Sequence, residues 1–306
     1  MTALLSNDAT AVVLTPAVLA VVRRARVAPE PYLLACALIA NAASFLLPIS
    51  NPANLVIFGR NLPDLGDWLR IFFLPSLAAI GVTYVLLRIL CREQLTGMAP
   101  STAIPPELSP KGRLALGGLG LAACTLLGAS ALGRPLGMPT LISALLVFTL
   151  VAAVDQTAPL KAVREVAWSV LPLVASLFVI VAALEGAGLP GLASQALAAL
   201  GHCSPRLGHL GAGFGVGLLS NGMNNLPVGL ASAGALHTPG AAGYANALLI
   251  GVDLGPNLSV TGSLATILWL IALRRGGVEF SAKQFLKVGV VVMPPALLVS
   301  LLLLRP

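Results

Sequence analysis

Two aspartates and a set of asparagines interrupt a chain that is otherwise apolar. The first pair of polar runs is Ser6-Asn7-Asp8-Ala9-Thr10 and Pro48-Ile49-Ser50-Asn51-Pro52-Ala53-Asn54. The second is Asn221-Gly222-Met223-Asn224-Asn225-Leu226-Pro227 and Asp253-Leu254-Gly255-Pro256-Asn257, continuing into Thr261-Gly262-Ser263. An aspartate in the middle of a membrane helix costs roughly 2.5–3.5 kcal/mol on insertion scales, so it normally faces a cavity and has a function there. Asp8 and Asp253 are therefore candidates for ion coupling, each able to load and release a proton. The competing role is to cap the half-helix that follows, which Asp also suits. Amides both donate and accept, as a neutral, polyhydroxylated solute requires. The candidate substrate-binding set is Asn7, Ser50, Asn51, Asn54, Asn224, Asn225, Thr261 and Ser263. Neither pair of runs contains Arg or Lys, which argues mildly against a carboxylate substrate, although half-helix N-termini also attract anions.

The elements that must position these residues are membrane helices. The chain is 57% hydrophobic and 9% charged, against about 25% charged for a soluble domain. Leu69–Leu87, Thr140–Val154, Trp168–Leu184 and Gln284–Leu304 are each about long enough to cross a bilayer. Asn, Asp, Gly and Pro expose backbone that hydrocarbon cannot satisfy, so such breaks occur only where protein buries them or a polar cavity lies alongside. Two matched pairs of breaks in two halves are the signature of a secondary transporter with internal repeats. The expected fold is an all-α polytopic membrane protein with inverted repeats, re-entrant hairpins and broken transmembrane helices.

The expected order runs as follows. A helix over Ala9–Val22 ends at Arg23-Arg24. A broken helix covers Pro31–Leu47 and resumes to Phe58, and a span covers Trp68–Leu90. Residues 1–92 then form an incomplete first repeat, made of a hairpin arm, a broken helix and one span. A Pro-rich cytoplasmic linker occupies 93–112, with Pro100, Pro105, Pro106 and Pro110. Residues 113–306 form the second repeat. Its spans are Arg113–Ala131, Pro139–Val154 and Trp168–Leu184, followed by a short segment at Gly188–Gly201. Next come a hairpin with arms Leu207–Leu219 and Leu226–Leu236, both too short to span, and a broken helix over Ala245–Asn257 and Ser259–Leu273. Gln284–Leu304 is the final span. About 105 residues precede the second Asn run inside its repeat and only Met1–Leu5 precede the first, so the first repeat is expected to lack its N-terminal portion. With the linker in the cytoplasm, only Arg60, Arg70, Arg134, Arg206 and Arg305 of the 18 Lys and Arg face outward, a clear positive-inside bias. That orientation inverts one repeat relative to the other.

Other chemistries have little support. The net charge of +7 comes from basic residues at span ends, not from a stripe that would track nucleic acid. Cys36, Cys91, Cys124 and Cys203 lack CxxC spacing, which favours small apolar packing and leaves thiolate binding of a metal or metalloid as the alternative. His202, His209 and His237 are spaced like loop residues. Gly211, Gly213, Gly215 and Gly217 follow no strand and lack GxGxxG spacing, so they are expected to let helices approach closely. Asp155 and Glu185 sit at span ends as solvated boundary residues. No catalytic residue, cofactor or metal site is expected, and the chain is expected not to be an enzyme.

The run Met223–Pro227, with Gly251–Asn257 and Gly262–Leu270, resembles the second half of bacterial arsenite permeases of the ion-transporter superfamily, distant relatives of sodium–dicarboxylate symporters. Ser6-Asn7-Asp8 resembles the superfamily's Ser-Asn-Thr hairpin tip, and Ser50–Asn54 its Gly-Thr-Pro-Pro-Asn break. The resemblance covers nearly the whole chain and is most specific over residues 220–295. It implies export of arsenite or antimonite, and hence arsenic resistance, as the neutral trihydroxide exchanged for protons across the bacterial inner membrane by a multi-pass protein. It also admits a soluble arsenite-stimulated ATPase and a second copy of the chain as partners. The sequence departs from the family at Asn257-Leu258-Ser259-Val260-Thr261, where members more often carry a Lys and a Pro. Two alternatives stay open: another superfamily transporter (a sodium/proton antiporter or a small-carboxylate carrier), or a truncated, non-transporting remnant.

Overall fold

Short polar side chains start the helices of this molecule. In the computed structural model, Ser6, Asn51, Asp64, Asn224, Ser263 and Ser281 each accept a backbone N–H from the first turn of the helix that follows. Each satisfies one of the donors a helix start leaves open. The structure describes residues 1–4, 6–95, 110–154 except 133 and 135, 186–201, 204–237 and 241–304, with isolated positions between 160 and 183. The described residues are helical, with no strand among them.

A short α turn over Asn7–Ala9 passes through a π-helical turn over Thr10–Leu14 into α1 (Thr15–Ala25). Then follow α2 (Glu30–Ala42), α3 (Pro52–Phe58) and α4 (Leu65–Leu90). After a four-residue turn at Arg92–Leu95 come α5 (Pro110–Ala131), α6 (Gly137–Val154) and α7 (Leu189–Gly201). The hairpin consists of α8 (Pro205–Met223) and α9 (Asn225–Ala235). The second broken helix is α10 (Ala245–Leu254), two 3₁₀ turns at Gly255–Asn257 and Val260–Gly262, and α11 (Leu264–Arg275). The last helix is α12 (Ala282–Leu302).

Among the described residues, α4, α5 from Gly112, α6 and α12 are long and apolar enough to cross a membrane. Their outward faces suit lipid. Phe73, Leu74, Leu77 and Val85 on α4 are exposed, as are Leu141, Ile142, Leu145 and Leu146 on α6. These features make the chain a polytopic membrane protein. The linker over 93–112 and the expected span Trp168–Leu184 fall largely outside the described residues, and Asp155, Glu185, His202 and Cys203 fall wholly outside them.

Of the element boundaries that differ from expectation, two shape the site. The first broken helix stops at Ala42 and not at Leu47. Residues 43–51 form the break because their carbonyls are claimed from outside the helix: Asn54 donates through Nδ2 to the Ser44 and Leu47 carbonyls, at 2.9 and 3.3 Å. The first arm of the hairpin is longer than expected, since α8 runs to Met223. Asn221 stays inside it by returning its amide to the Gly217 carbonyl at 2.8 Å. At 19 residues α8 measures about 28 Å, so only α9 is the short arm foreseen.

The core has two main parts. Leu33, Leu34 and Leu38 pack with Trp269, Leu273 and Phe285. Phe45, Trp68 and Phe72 pack with Leu249, Ile250, Leu254 and Leu297. Two buried indoles also satisfy broken-helix carbonyls, Trp68 Nε1 donating to Phe45 at 3.1 Å and Trp269 Nε1 to Leu33 at 2.9 Å. Cys36 and Cys91 are buried free thiols within the first of these clusters, while Cys124 is exposed.

Candidate functional site

Each polar tip is built around a residue in a conformation that L-amino acids rarely adopt. Ser6 has φ 153° and Asn224 has φ 74°. Both then cap the helix that follows, Ser6 Oγ accepting from Ala9 N at 3.1 Å and Asn224 Oδ1 from Leu226 N at 3.4 Å. Such backbone costs of order 1–3 kcal/mol per residue and persists where the surroundings over-determine it. The first tip packs against α11 and the second arm, α9, against α3. Each tip is thus seated on the later half of the broken helix from the other part of the chain.

The breaks meet in a buried polar seam. Asn7 Nδ2 donates to Asn41 Oδ1 at 3.4 Å, Asn41 Nδ2 to Asn257 Oδ1 at 3.0 Å, and Asn257 Nδ2 to the Leu38 carbonyl at 3.0 Å. Asn7 Oδ1 accepts from Asp8 N at 2.9 Å. This chain of amides links the first tip to the second break through α2. A second tie lies alongside: Asn51 Nδ2 donates to Asp253 Oδ1 at 2.6 Å, while Asn51 Oδ1 caps α3 through Ala53 N at 3.1 Å. Ser44 stands beside Asp253, its hydroxyl donating to the Asn41 carbonyl at 2.7 Å. Asp253 is 1% exposed and its Oδ2 has no partner, and Asn54 Oδ1 is likewise buried without one.

The predicted residues fall into three groups. Asn7, Asn51 and Asp253 belong to the seam. Ser50, Asn54 and Ser263 hold backbone in place. Ser50 Oγ donates to the Ala3 carbonyl at 3.0 Å and accepts from Leu47 N, Asn54 bridges the break, and Ser263 closes a reciprocal cap with Thr266. The third group lines the second tip. Asn224 Nδ2 reaches the Thr261 carbonyl at 3.2 Å, and Thr261 Oγ1 donates to the Asn221 carbonyl at 2.9 Å. Asn225 is buried, yet its amide has no hydrogen-bond partner among the described residues. The half-buried Asp8 carboxylate also has none.

The capping alternative fits the two aspartates differently. Asp8 does sit in the first turn of its helix. Asp253 lies at the C-terminal end of α10, and the half-helix after the break starts on Ser263 instead. Asn41, Ser44, Asn221 and Asn257 also belong to the network, beyond the residues that the sequence nominates. The only trace of Asn41 and Ser44 in the sequence is a lone polar residue within an apolar run. A cavity of about 610 Å³ opens where α3 and α9 end, lined by Ile57, Phe58, Asn61, Ala233, Leu236 and His237 among others. His209 lies with its ring against Tyr244 and its Nε2 3.2 Å from the Gly243 carbonyl.

Comparison with known proteins identifies the family. The family model described as arsenical pump membrane protein matches residues 1–305. An arsenical pump membrane protein of Escherichia coli K12 is 29% identical over 324 residues, covering 98% of this chain and 73% of that protein. A protein of the same description from Yersinia enterocolitica is also 29% identical with the same coverage. An uncharacterized transporter of Synechocystis is 25% identical over 331 residues, covering 98% of this chain and 73% of its own. With two polar breaks buried together among apolar spans and a family match along nearly its whole length, the chain belongs to the arsenical pump membrane protein family, a family of membrane transporters and not of enzymes.

Proposed function

We propose that this chain is a secondary active transporter of the bacterial inner membrane that exports arsenite or antimonite, as the neutral trihydroxide, in exchange for protons. The observation that carries the reading is the buried contact between Asn51 and Asp253, which puts a titratable group of one break against the amide of the other. Substrate lies between the two tips, near the bilayer midplane. Asn7, Asn51, Asn224, Asn225 and Thr261 offer it amides and a hydroxyl, while Ser50, Asn54 and Ser263 hold the breaks open around it. The uncommitted amide of Asn225 suits this best. Asp253 carries the coupling proton and Asp8 assists from the first tip. The two parts of the chain act as inverted repeats, so that the tips are reached from opposite faces, as alternating access requires. The cavity where α3 and α9 end is the outer approach.

The test is transport in everted vesicles from a host without its own arsenite exporter. Wild type should accumulate arsenite when a pH gradient is imposed. Asp253→Asn keeps shape and hydrogen bonding but removes the titratable group, so pH-driven uptake should fall to background while arsenite-for-arsenite exchange survives. Full pH-driven uptake in both Asp253→Asn and Asp8→Asn would remove the coupling role. A wild type that ignores arsenite yet alters sodium or dicarboxylate movement would select another superfamily activity.

A further inference from the structure

Two buried acceptors of the seam lack a hydrogen-bond partner, and both lie at the junction of the two breaks. Every side-chain amide nitrogen and hydroxyl in this part of the seam already has an acceptor. Asn51 Nδ2 is on Asp253 Oδ1, Asn54 Nδ2 is on the Ser44 and Leu47 carbonyls, and Ser44 Oγ is on the Asn41 carbonyl. Asn41 Nδ2 is on Asn257, and Asn257 Nδ2 is on the Leu38 carbonyl. Two oxygens remain without a partner, Asp253 Oδ2 and Asn54 Oδ1, both fully buried. The two residues share Ser44 as a neighbour, its carbonyl holding the Asn54 amide and its side chain standing beside Asp253. Buried acceptors without donors are rare in folded proteins. One added hydrogen meets both needs: a proton on Asp253 Oδ2 neutralises the carboxylate and becomes the donor that Asn54 Oδ1 lacks.

We infer that Asn54 is the acceptor for the coupling proton on Asp253, positioning it through an Oδ2–H···Oδ1 hydrogen bond across the junction of the two breaks. This rests on reading Asp253 as the coupling carboxylate. It takes Asn54 out of the substrate shell and makes it a positioning residue, since its Nδ2 secures the break while its Oδ1 receives the proton. No other charge competes there. The titratable and charged groups on the elements packed against α10 are Glu30, Tyr32 and Cys36 on α2, Arg206 and His209 on α8, Lys283 and Lys287 on α12, and Tyr244 just before α10. The side chains that act on Asp253 are those of Ser44 and Asn51.

The test uses carbon-13 solid-state NMR of the full chain in lipid, following the side-chain Cγ signals of Asp253 and Asn54 against pH. Both should shift together with one midpoint, and the Asn54 titration should vanish in Asp253→Asn. In Asn54→Asp two carboxylates would share one proton, so the upper midpoint should rise by at least one pH unit, a tenfold gain in proton affinity. If that variant does not fold, the wild-type co-titration still decides. An Asn54 signal that stays flat while Asp253 titrates would overturn the assignment, as would an Asp253 that never protonates across the pH range. Repeating the titration with sodium in place of choline separates proton from metal. A midpoint that falls as sodium rises would give the site to an alkali cation and end the proposal. None of these readouts uses arsenite, so loss of arsenite transport and loss of the Asp253–Asn54 pair are told apart.

Discussion

Asn51 divides one amide between two parts of the chain. Its Oδ1 caps α3 and its Nδ2 holds Asp253, so Asn51→Ala removes both at once. A lost cap costs about 1 kcal/mol, and a buried oxygen stripped of its donor costs about 1–3 kcal/mol more. Asn225→Ala is the comparison, because that amide has no hydrogen bond to lose among the described residues. In detergent, Asn51→Ala should lower the unfolding midpoint by several degrees and Asn225→Ala should leave it nearly unchanged, with arsenite binding weakened in the second. Equal midpoints would mean the Asn51–Asp253 tie has no structural weight. Much of the polar seam was readable from residue type alone, because Asn7, Asn51 and Asp253 stand at interruptions of apolar runs. Asn41 and Ser44 were not readable. They are two isolated polar residues in the otherwise apolar run Leu33–Leu47, and their meaning comes from Asn257 and Asp253, which only the fold brings near.

The hairpin and the second broken helix are joined by backbone against backbone. A methyl group added at Gly251 would strike the Gly213 carbonyl, and one added at Gly255 would strike the backbone of Gly217. α8 and α10 therefore cross at a distance that only glycine permits. Gly215, on the same helix, has nothing within 4 Å of the equivalent point. Gly251→Ala should force the helices apart and lower both thermal stability and yield of folded protein. Gly215→Ala should be neutral or slightly stabilising, since alanine gains about 1 kcal/mol of helix propensity over glycine. Size-exclusion profiles after a temperature ramp compare the two, and equal losses would remove the crossing as the cause. The glycine run was legible as a packing device, but which glycines pack was not, because that depends on the facing helix. Helix ends were misjudged for a related reason. Apolar Ala43–Leu47 reads as helix until Asn54 draws off its carbonyls, and Asn221-Gly222 reads as break until Asn221 bonds back within α8.

At the level of the molecule, the distribution of basic residues predicts a cytoplasmic Ser101 and an outward-facing Asp64, the cap of α4. Single cysteines at these positions in a cysteine-free background test this. An impermeant maleimide applied to intact cells should label the Asp64 position and leave Ser101 unlabelled until the cells are opened. Labelling of Ser101 in intact cells would reverse the orientation and with it the face from which each tip is reached. The spans themselves were the most legible part of the chain, since length and apolarity suffice to mark α4, α5, α6 and α12. How the two breaks face each other was not, because no local pattern records a contact between distant segments.

That separation has a consequence for how the protein is made. Asn51 finds Asp253 across 202 residues and Asn41 finds Asn257 across 216. At about 5–20 residues per second of synthesis, the early break waits roughly 10–40 seconds for the partners that will satisfy it. Throughout that interval the Nδ2 groups of Asn41 and Asn51 sit at or near the bilayer without the acceptors that the second break supplies. The ribosome has long passed the first break before the seam can close, so the early segments must be sheltered by the insertion machinery or held at the lipid headgroups until the second break arrives. The contact proposed to couple protons to export is thus also a late one to form, and its closure removes part of the need for that shelter.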